Sequence, residues 1–372
     1  MNISSSFDGG NIEVRDASDP TDVHLAIRPD NASDFHQWFS FRAAGQRGTP
    51  WGFRIVNAGT TSYPAGWEGY RVASSTDRVR WRRLDATYAG GELRWSHTPD
   101  ADVCWYAYFA PYSLERHADL LARCAASAQV IGGVGVNRLG VTVDGRDLDR
   151  VTVGTGSKVA WVIARQHPGE TMAEWWIEGF LGRLLDPTDA LARGLLRDVT
   201  FHVVPNMNPD GSFRGNLRTN AAGANLNREW HAPTVERSPE VFAVRAAMDA
   251  SGVDLCLDVH GDEDLPYNFI AGAEGVAGFT PEMSAQLDRF KADYQRANPD
   301  FQTVQGNPRD APGEANLTLC TPQIAHRFKC LSMTLEMPFK DTADDPDVAE
   351  GWSPQRAMRL GASALDPIRS AL

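Results

Sequence analysis

From residue 1 to about 110, apolar and polar positions alternate in short runs: HLAIRP, FHQWFSFRA, GFRIVNA, GYRVAS, RVRWRRLDA and ELRWSHT. Gly, Pro, Asn and Asp separate the runs. A period of two predicts half-buried strands, and evenly spaced strands with no helix between them predict an antiparallel β-sandwich. Trp81 stands between Arg80 and Arg82, as an inward ring stands between outward charges. The tryptophans of this region are therefore expected in a core rather than on a ligand platform.

After VCWYAYFAPYS the period changes. LERHADLLARCAAS spaces its apolar residues as a helix does, and strands and helices then alternate: VAWVIARQ, TMAEWWIEGFLGRLL, DVTFHVVP, PEVFAVRAAMDASG, VDLCLDVHG and LSMTLEMPF. Apolar, β-branched strands alternating with amphipathic helices predict a largely parallel or mixed sheet covered on both faces. The expected organisation is a β-sandwich over residues 1–120 followed by an α/β/α domain over 121–372. Residues 271–325 show little periodicity apart from a helix around PEMSAQLDRFKADYQRA, and no repeat or low-complexity tract appears.

Composition adds exclusions. A net charge of −12 repels phosphate backbones and anionic membrane surfaces, which argues against a nucleic-acid partner. No apolar run approaches the roughly 20 residues that span a bilayer, and the N-terminal residues lack a basic and an apolar region, so no membrane partner and a cytoplasmic location are expected. The five cysteines are scattered without C-x-x-C spacing, the pattern of reduced structural thiols. Oligomeric state leaves no mark in the sequence.

In open α/β sheets, ligands bind beyond the carboxyl ends of the strands, so polar residues just past each predicted strand are the short list. VAWVIARQ runs into His167-Pro168-Gly169-Glu170, VDLCLDV into His260, TFHVVP into Asn206-Met207-Asn208-Pro209-Asp210-Gly211, and LSMTL into Glu336. A catalytic zinc site needs three protein ligands and one open position, and two histidines with one glutamate are a standard set. His167, Glu170 and His260 supply it: a turn through Pro168 and Gly169 lets the first pair converge, and His260 closes the site from another strand. His-x-x-Glu alone is common by chance; the second strand-terminal His and the strand-terminal Glu336 give it weight. Asp258 alternates onto the same face as His260 but lies deeper, as a supporting or buried structural group.

The segment NMNPDGSFRGNLRTNAAGANLNREW is dense in Asn, Gly and Arg. A polar surface loop explains it as well as a substrate clamp, in which Arg218 and Arg228 would recognise carboxylates with Asn227 beside them.

His167-Pro-Gly-Glu170, Asn208-Pro-Asp-Gly211, Asn225-Leu-Asn227-Arg228, His260 and Thr334-Leu-Glu336, in that order, resemble the motif set of the zinc metallocarboxypeptidases. The resemblance narrows to the cytosolic carboxypeptidase subfamily, which carries a β-sandwich before the catalytic domain and an aromatic junction that Tyr106-Ala-Tyr108-Phe-Ala-Pro-Tyr112-Ser113 looks like. It implies one zinc ion per chain held by His167, Glu170 and His260, and Glu336 as general base. It further implies Arg218 polarising the scissile carbonyl, and Asn227 and Arg228 holding the terminal carboxylate of a peptide or protein C-terminus. The wider family places a tyrosine on a loop shortly before the catalytic Glu, whereas no tyrosine follows Tyr294 here.

The expected activity is hydrolysis of C-terminal peptide bonds. The subfamily resemblance suggests removal of acidic residues, for which His326-Arg327-Phe328-Lys329 is a candidate neutralising cluster; a solvated basic edge explains the same residues. Two rival classes stand beside it. A zinc amidase or deacylase would act on small acylated amino acids or cell-wall peptides. A non-catalytic protein-binding module would have no use for an open metal position.

Overall fold

The structure is a computed structural model of the chain, which describes residues 1–127 and 135–372. The N-terminal part builds two five-stranded sheets. One runs in the order Asn2–Ser4, Ser40–Ala44, Val103–Ala107, Val72–Ser75, Arg82–Leu84, and the other Glu13–Asp16, Val23–Ala26, Trp51–Ile55, Glu92–His97, Ala86–Ala89. Pairing is antiparallel apart from Val23–Ala26, which runs parallel to Trp51–Ile55. The alternating rings fill the space between the sheets: Phe53 lies 4.9 Å from Tyr106 and 5.1 Å from Trp95, centroid to centroid. Trp81 is buried and its neighbours Arg80 and Arg82 are exposed, as the alternation predicts.

A seven-stranded mixed sheet follows, in the order Val136–Val141, Asp147–Val153, Val199–Val204, Lys158–Ala164, Leu255–Val259, Leu331–Glu336, Phe269–Ala271. The four strands from Val199–Val204 to Leu331–Glu336 are mutually parallel, and the flanking pairs are antiparallel. Strand alternation feeds two cores. Ala160, Val162 and Ala164 face the helix Met172–Leu184, whereas Trp161 and Ile163 face Val241, Val244 and Met248 on the helix Pro239–Ser251. Met172–Leu184 in turn crosses Pro354–Ser363 so closely that a Cβ on Gly179 would lie 1.9 Å from the Met358 carbonyl oxygen. The helix expected around PEMSAQLDRFKADYQRA spans Pro281–Ala297, begun by Thr280, whose hydroxyl accepts from the Met283 amide.

Elements that the pattern did not name lie toward the periphery. The hairpin strand Asp147–Val153 carries Asp and Arg among its apolar positions, and Pro354–Ser363 is only ten residues long, too short for its period to stand out.

The aromatic junction joins the two parts. Tyr108 stacks on Phe339 at 4.4 Å, and the Ala110 carbonyl accepts hydrogen bonds from Thr171 Oγ1 at 2.9 Å and Trp175 Nε1 at 3.0 Å. Residue 120 lies inside the helix Leu114–Ala125, which packs Leu120 into the core and is capped by Ser113. Among the described residues, no helix is long and apolar enough to cross a membrane, and all five cysteines are buried and free.

Candidate metal centre

The parallel strands set the site. Lys158–Ala164 has Val199–Val204 on one side and Leu255–Val259 on the other, so the chain reverses its winding direction there, where open α/β sheets bind ligands. Ala164 pairs with Val259 and Val259 with Leu335, which brings His167, His260 and Glu336 to one edge. His167 Nδ1 lies 2.6 Å from Glu170 Oε1, His260 Nδ1 lies 2.8 Å from Glu170 Oε2, and the two Nδ1 atoms are 3.2 Å apart. These three residues are buried, and one donor atom from each falls within 4.8 Å of the others.

The outer faces of the imidazoles fix which nitrogen points inward. His260 Nε2 lies 3.0 Å from Asp258 Oδ2, and His167 Nε2 lies 3.0 Å from Asn225 Oδ1. Each oxygen accepts an N–H, which leaves Nδ1 of both rings with its lone pair aimed at the centre. Gln166 donates to Asp258 Oδ2 at 2.6 Å and accepts from Trp230 Nε1 at 2.8 Å. Two imidazole lone pairs and a carboxylate facing one another repel unless a cation lies among them, so this donor set fits a divalent metal.

Electrostatics agree. Burial holds the His167 imidazole at about 4, in the neutral form that can bind a metal. Burial alone would raise the Glu170 carboxyl, but His167 and His260 hold it below the usual carboxylate range. For His260, burial disfavours charge, and Asp258 and Glu170 overcome it and draw positive charge toward the ring. A divalent cation meets that same demand.

The His167–Glu170 turn is held from behind. Arg165, the residue after the strand, takes a left-handed conformation at φ 58° and donates from Nε to the Pro168 carbonyl at 2.9 Å and from Nη1 to Glu174 at 2.6 Å. Glu174 also meets His117 Nδ1 at 2.6 Å. The supporting roles of Arg165, Asn225 and Gln166 were not legible, although Asn225 lies in the Asn225-Leu-Asn227-Arg228 motif, because nothing periodic marks a contact between distant residues. The position of Arg165 at a strand end was the one clue.

A cleft of about 480 Å³ opens over the trio, lined by His167, Glu170, Arg218, Asn227, Arg228 and Glu336. Glu336 Oε2 is buried without a hydrogen-bond partner among the described residues. Burial, with the like charges of Glu170, Asp262 and Glu263, raises its carboxyl well above the ordinary range against the pull of His260. Asn227 Oδ1 accepts the Cys320 amide at 2.8 Å, which leaves Nδ2 to donate. The Arg218 guanidinium sits 5.5 Å from both the Phe35 and the Tyr63 rings, and Tyr63 also lines the cleft.

The cluster His326-Arg327-Phe328-Lys329 does not reach this cleft. It forms the end of the helix Cys320–Phe328, where Arg327 pairs with Asp249 at 2.5 Å on the surface. The strand that follows turns its other end toward the site, so nearness in sequence to Glu336 became distance in space. Lys291 and Arg309 also line the cleft, with Glu274 4.0 Å from the first and 3.4 Å from the second.

A mixed α/β sheet that delivers two imidazoles and a carboxylate to a cleft shared with Glu336, Arg218 and Arg228 defines the class of metal-dependent hydrolases. Residues 132–301 match the zinc carboxypeptidase family, and residues 3–109 match the cytosolic carboxypeptidase N-terminal domain. The metallo-carboxypeptidase of Burkholderia cenocepacia is 48% identical with a TM-score of 0.96, over 100% of this chain and 98% of that one. The metallo-carboxypeptidase of Pseudomonas aeruginosa, solved in complex with (2-guanidinoethylmercapto)succinic acid, is 45% identical with a TM-score of 0.96 over the same shares. The chain belongs to the zinc carboxypeptidase family and is a metallocarboxypeptidase. Human cytosolic carboxypeptidase 1 is 26% identical over 67% of this chain, which spans only 24% of that longer protein.

Proposed function

We propose that this metallocarboxypeptidase is zinc-dependent, that His167, Glu170 and His260 hold the ion, and that it hydrolyses the C-terminal bond of peptides or proteins. The observation that carries the reading is the facing of His167 Nδ1, His260 Nδ1 and the Glu170 carboxylate within 4.8 Å, in a cleft that Glu336 shares. Zinc, when bound, supplies Lewis acidity that acidifies water and polarises a carbonyl. Glu336 accepts the proton of the attacking water and passes it to the leaving amine. Arg218 donates to the carbonyl oxygen as negative charge develops there. Asn227, through Nδ2, and Arg228 hold the terminal carboxylate, which a planar guanidinium suits. The division into a β-sandwich and a catalytic domain near residue 120 is part of this proposal.

The preferred C-terminal residue is acidic in this reading, supported by Lys291 and Arg309 in the cleft lining rather than by the His326–Lys329 cluster. Glu274 between them tempers the positive charge. The Pseudomonas aeruginosa relative's ligand carries carboxylates and a guanidinium, which suits a cleft bearing both signs. Peptides differing only in a final Glu, Leu or Lys, assayed with and without a chelator, test both parts. Loss of hydrolysis on chelation and its return with zinc are expected, with Glu cleaved fastest. Undiminished activity in chelator defeats the metal assignment, and preference for Leu defeats the acidic one.

A further inference from the structure

We infer that the N-terminal β part is a working component of the catalytic centre, with Asp30 as a positioning residue that sets Arg218 over the cleft. The inference rests on the proposed role of Arg218. Asp30 is buried, and its carboxylate sits in a nest of amides: Leu217 N–H donates to Oδ1 at 2.6 Å, and Arg218 and Thr219 N–H donate to Oδ2 at 2.8 and 2.9 Å. Thr219 Oγ1 adds a fourth bond at 3.0 Å. The receiving segment carries the guanidinium itself, and 187 residues separate its start from Asp30.

The grip extends along the segment. Asn11 Nδ2 donates to the Gly215 carbonyl at 2.9 Å, Asn31 Nδ2 to the Ala221 carbonyl at 2.7 Å, and Asn216 Nδ2 to Asn31 Oδ1 at 2.7 Å. Phe35 and Tyr63, from the same N-terminal part, flank the guanidinium on its way into the cleft. Cation–π contact and a carboxylate fixed at the backbone leave the long side chain few alternatives. Arg218 Nε is buried without a hydrogen-bond partner among the described residues, so no anchor inside the protein satisfies this side chain completely. The segment also touches the ligand turn, since the Gly169 amide donates to the Leu217 carbonyl at 2.9 Å. Leu217 thus lies between Asp30 on one side and the His167–Glu170 turn on the other.

A group that stabilises charge only as it develops acts through its placement, and misplacement by about 1 Å can cost on the order of a hundredfold in rate. A double-mutant cycle on peptide hydrolysis by the zinc-loaded full chain reads the coupling. Asp30→Asn is expected to lower kcat about tenfold to a hundredfold with KM changed less than about threefold, while bound zinc stays near that of the parent and Tm falls, because an amide leaves some of the four donors unmet. On an Arg218→Ala background the same change is expected to cost less than about twofold, because the group it positions is gone. If Asp30→Asn does not fold, the paired change Phe35→Leu with Tyr63→Leu enters the same cycle, with the same non-additivity expected. An equal loss on both backgrounds, or a parental kcat in the singly changed enzyme, overturns the positioning role alone. Parental kcat in Arg218→Ala removes the assignment of Arg218 and this inference with it.

Discussion

Asp258 Oδ2 lies 3.0 Å from His260 Nε2, and this contact, made beneath the site, determines which nitrogen of the ring faces the centre. Asp258 is fully buried, and Gln166 holds the same oxygen at 2.6 Å, so the carboxylate cannot swing away. Carboxylates behind metal-binding histidines are worth roughly 10–100-fold in metal affinity. Asp258→Asn is expected to weaken zinc binding by about that factor, measured by competition with a chromophoric chelator. Unchanged affinity would contradict the orientation argument.

Among the described residues, Glu336 is the cleft carboxyl with a buried oxygen that has no hydrogen-bond partner. Glu336→Gln keeps shape and removes the proton acceptor, and kcat is expected to fall by about 10²–10⁴. Zinc content by elemental analysis is expected to stay at one ion per chain. Near-parental turnover with zinc bound would assign the base elsewhere.

Arg228 lines the cleft beside Asn227 and Arg218. Its proposed partner is a carboxylate present in the substrate before and after the bond breaks, so its removal is a loss of uniform binding. Arg228→Gln is expected to raise KM about tenfold or more for a free C-terminus with a smaller change in kcat. Peptides with amidated C-termini should be poor substrates of the parent. If both enzymes cleave amidated and free termini alike, no terminal carboxylate is being read.

His117 offers a pH signature away from the cleft. Burial works against its charge, yet Glu174 and Asp149 outweigh burial and lift the imidazole to about 9 from an ordinary 6.5. A group raised in the folded state stabilises fully below its unfolded value, so this contribution is complete below about pH 6.5 and disappears as pH climbs toward 9. The Tm difference between the parent and His117→Asn is therefore expected to shrink across that window, from a stabilisation on the order of 1–3 kcal/mol. A difference that stays constant from pH 6 to about 9.5 would mean that His117 is neutral in the fold.

The sequence by itself determined the local order: strands of period two, then buried strands alternating with helices, with His167, His260 and Glu336 each at a strand end. These follow from short-range patterning, because a strand's period and its termination are written within a few residues. Tertiary structure alone decided which groups serve those residues. It carried His326–Lys329 to the far end of a helix although they lie close to Glu336 in sequence, and brought Lys291 and Arg309 to the cleft. It also placed Asp30, 187 residues away, beneath the amides of Leu217 to Thr219. The β-sandwich was legible while its grip on Arg218 was not. A carboxylate that accepts backbone N–H groups leaves no periodic trace, since any sequence offers those amides and only the packing of two distant parts selects which of them it meets.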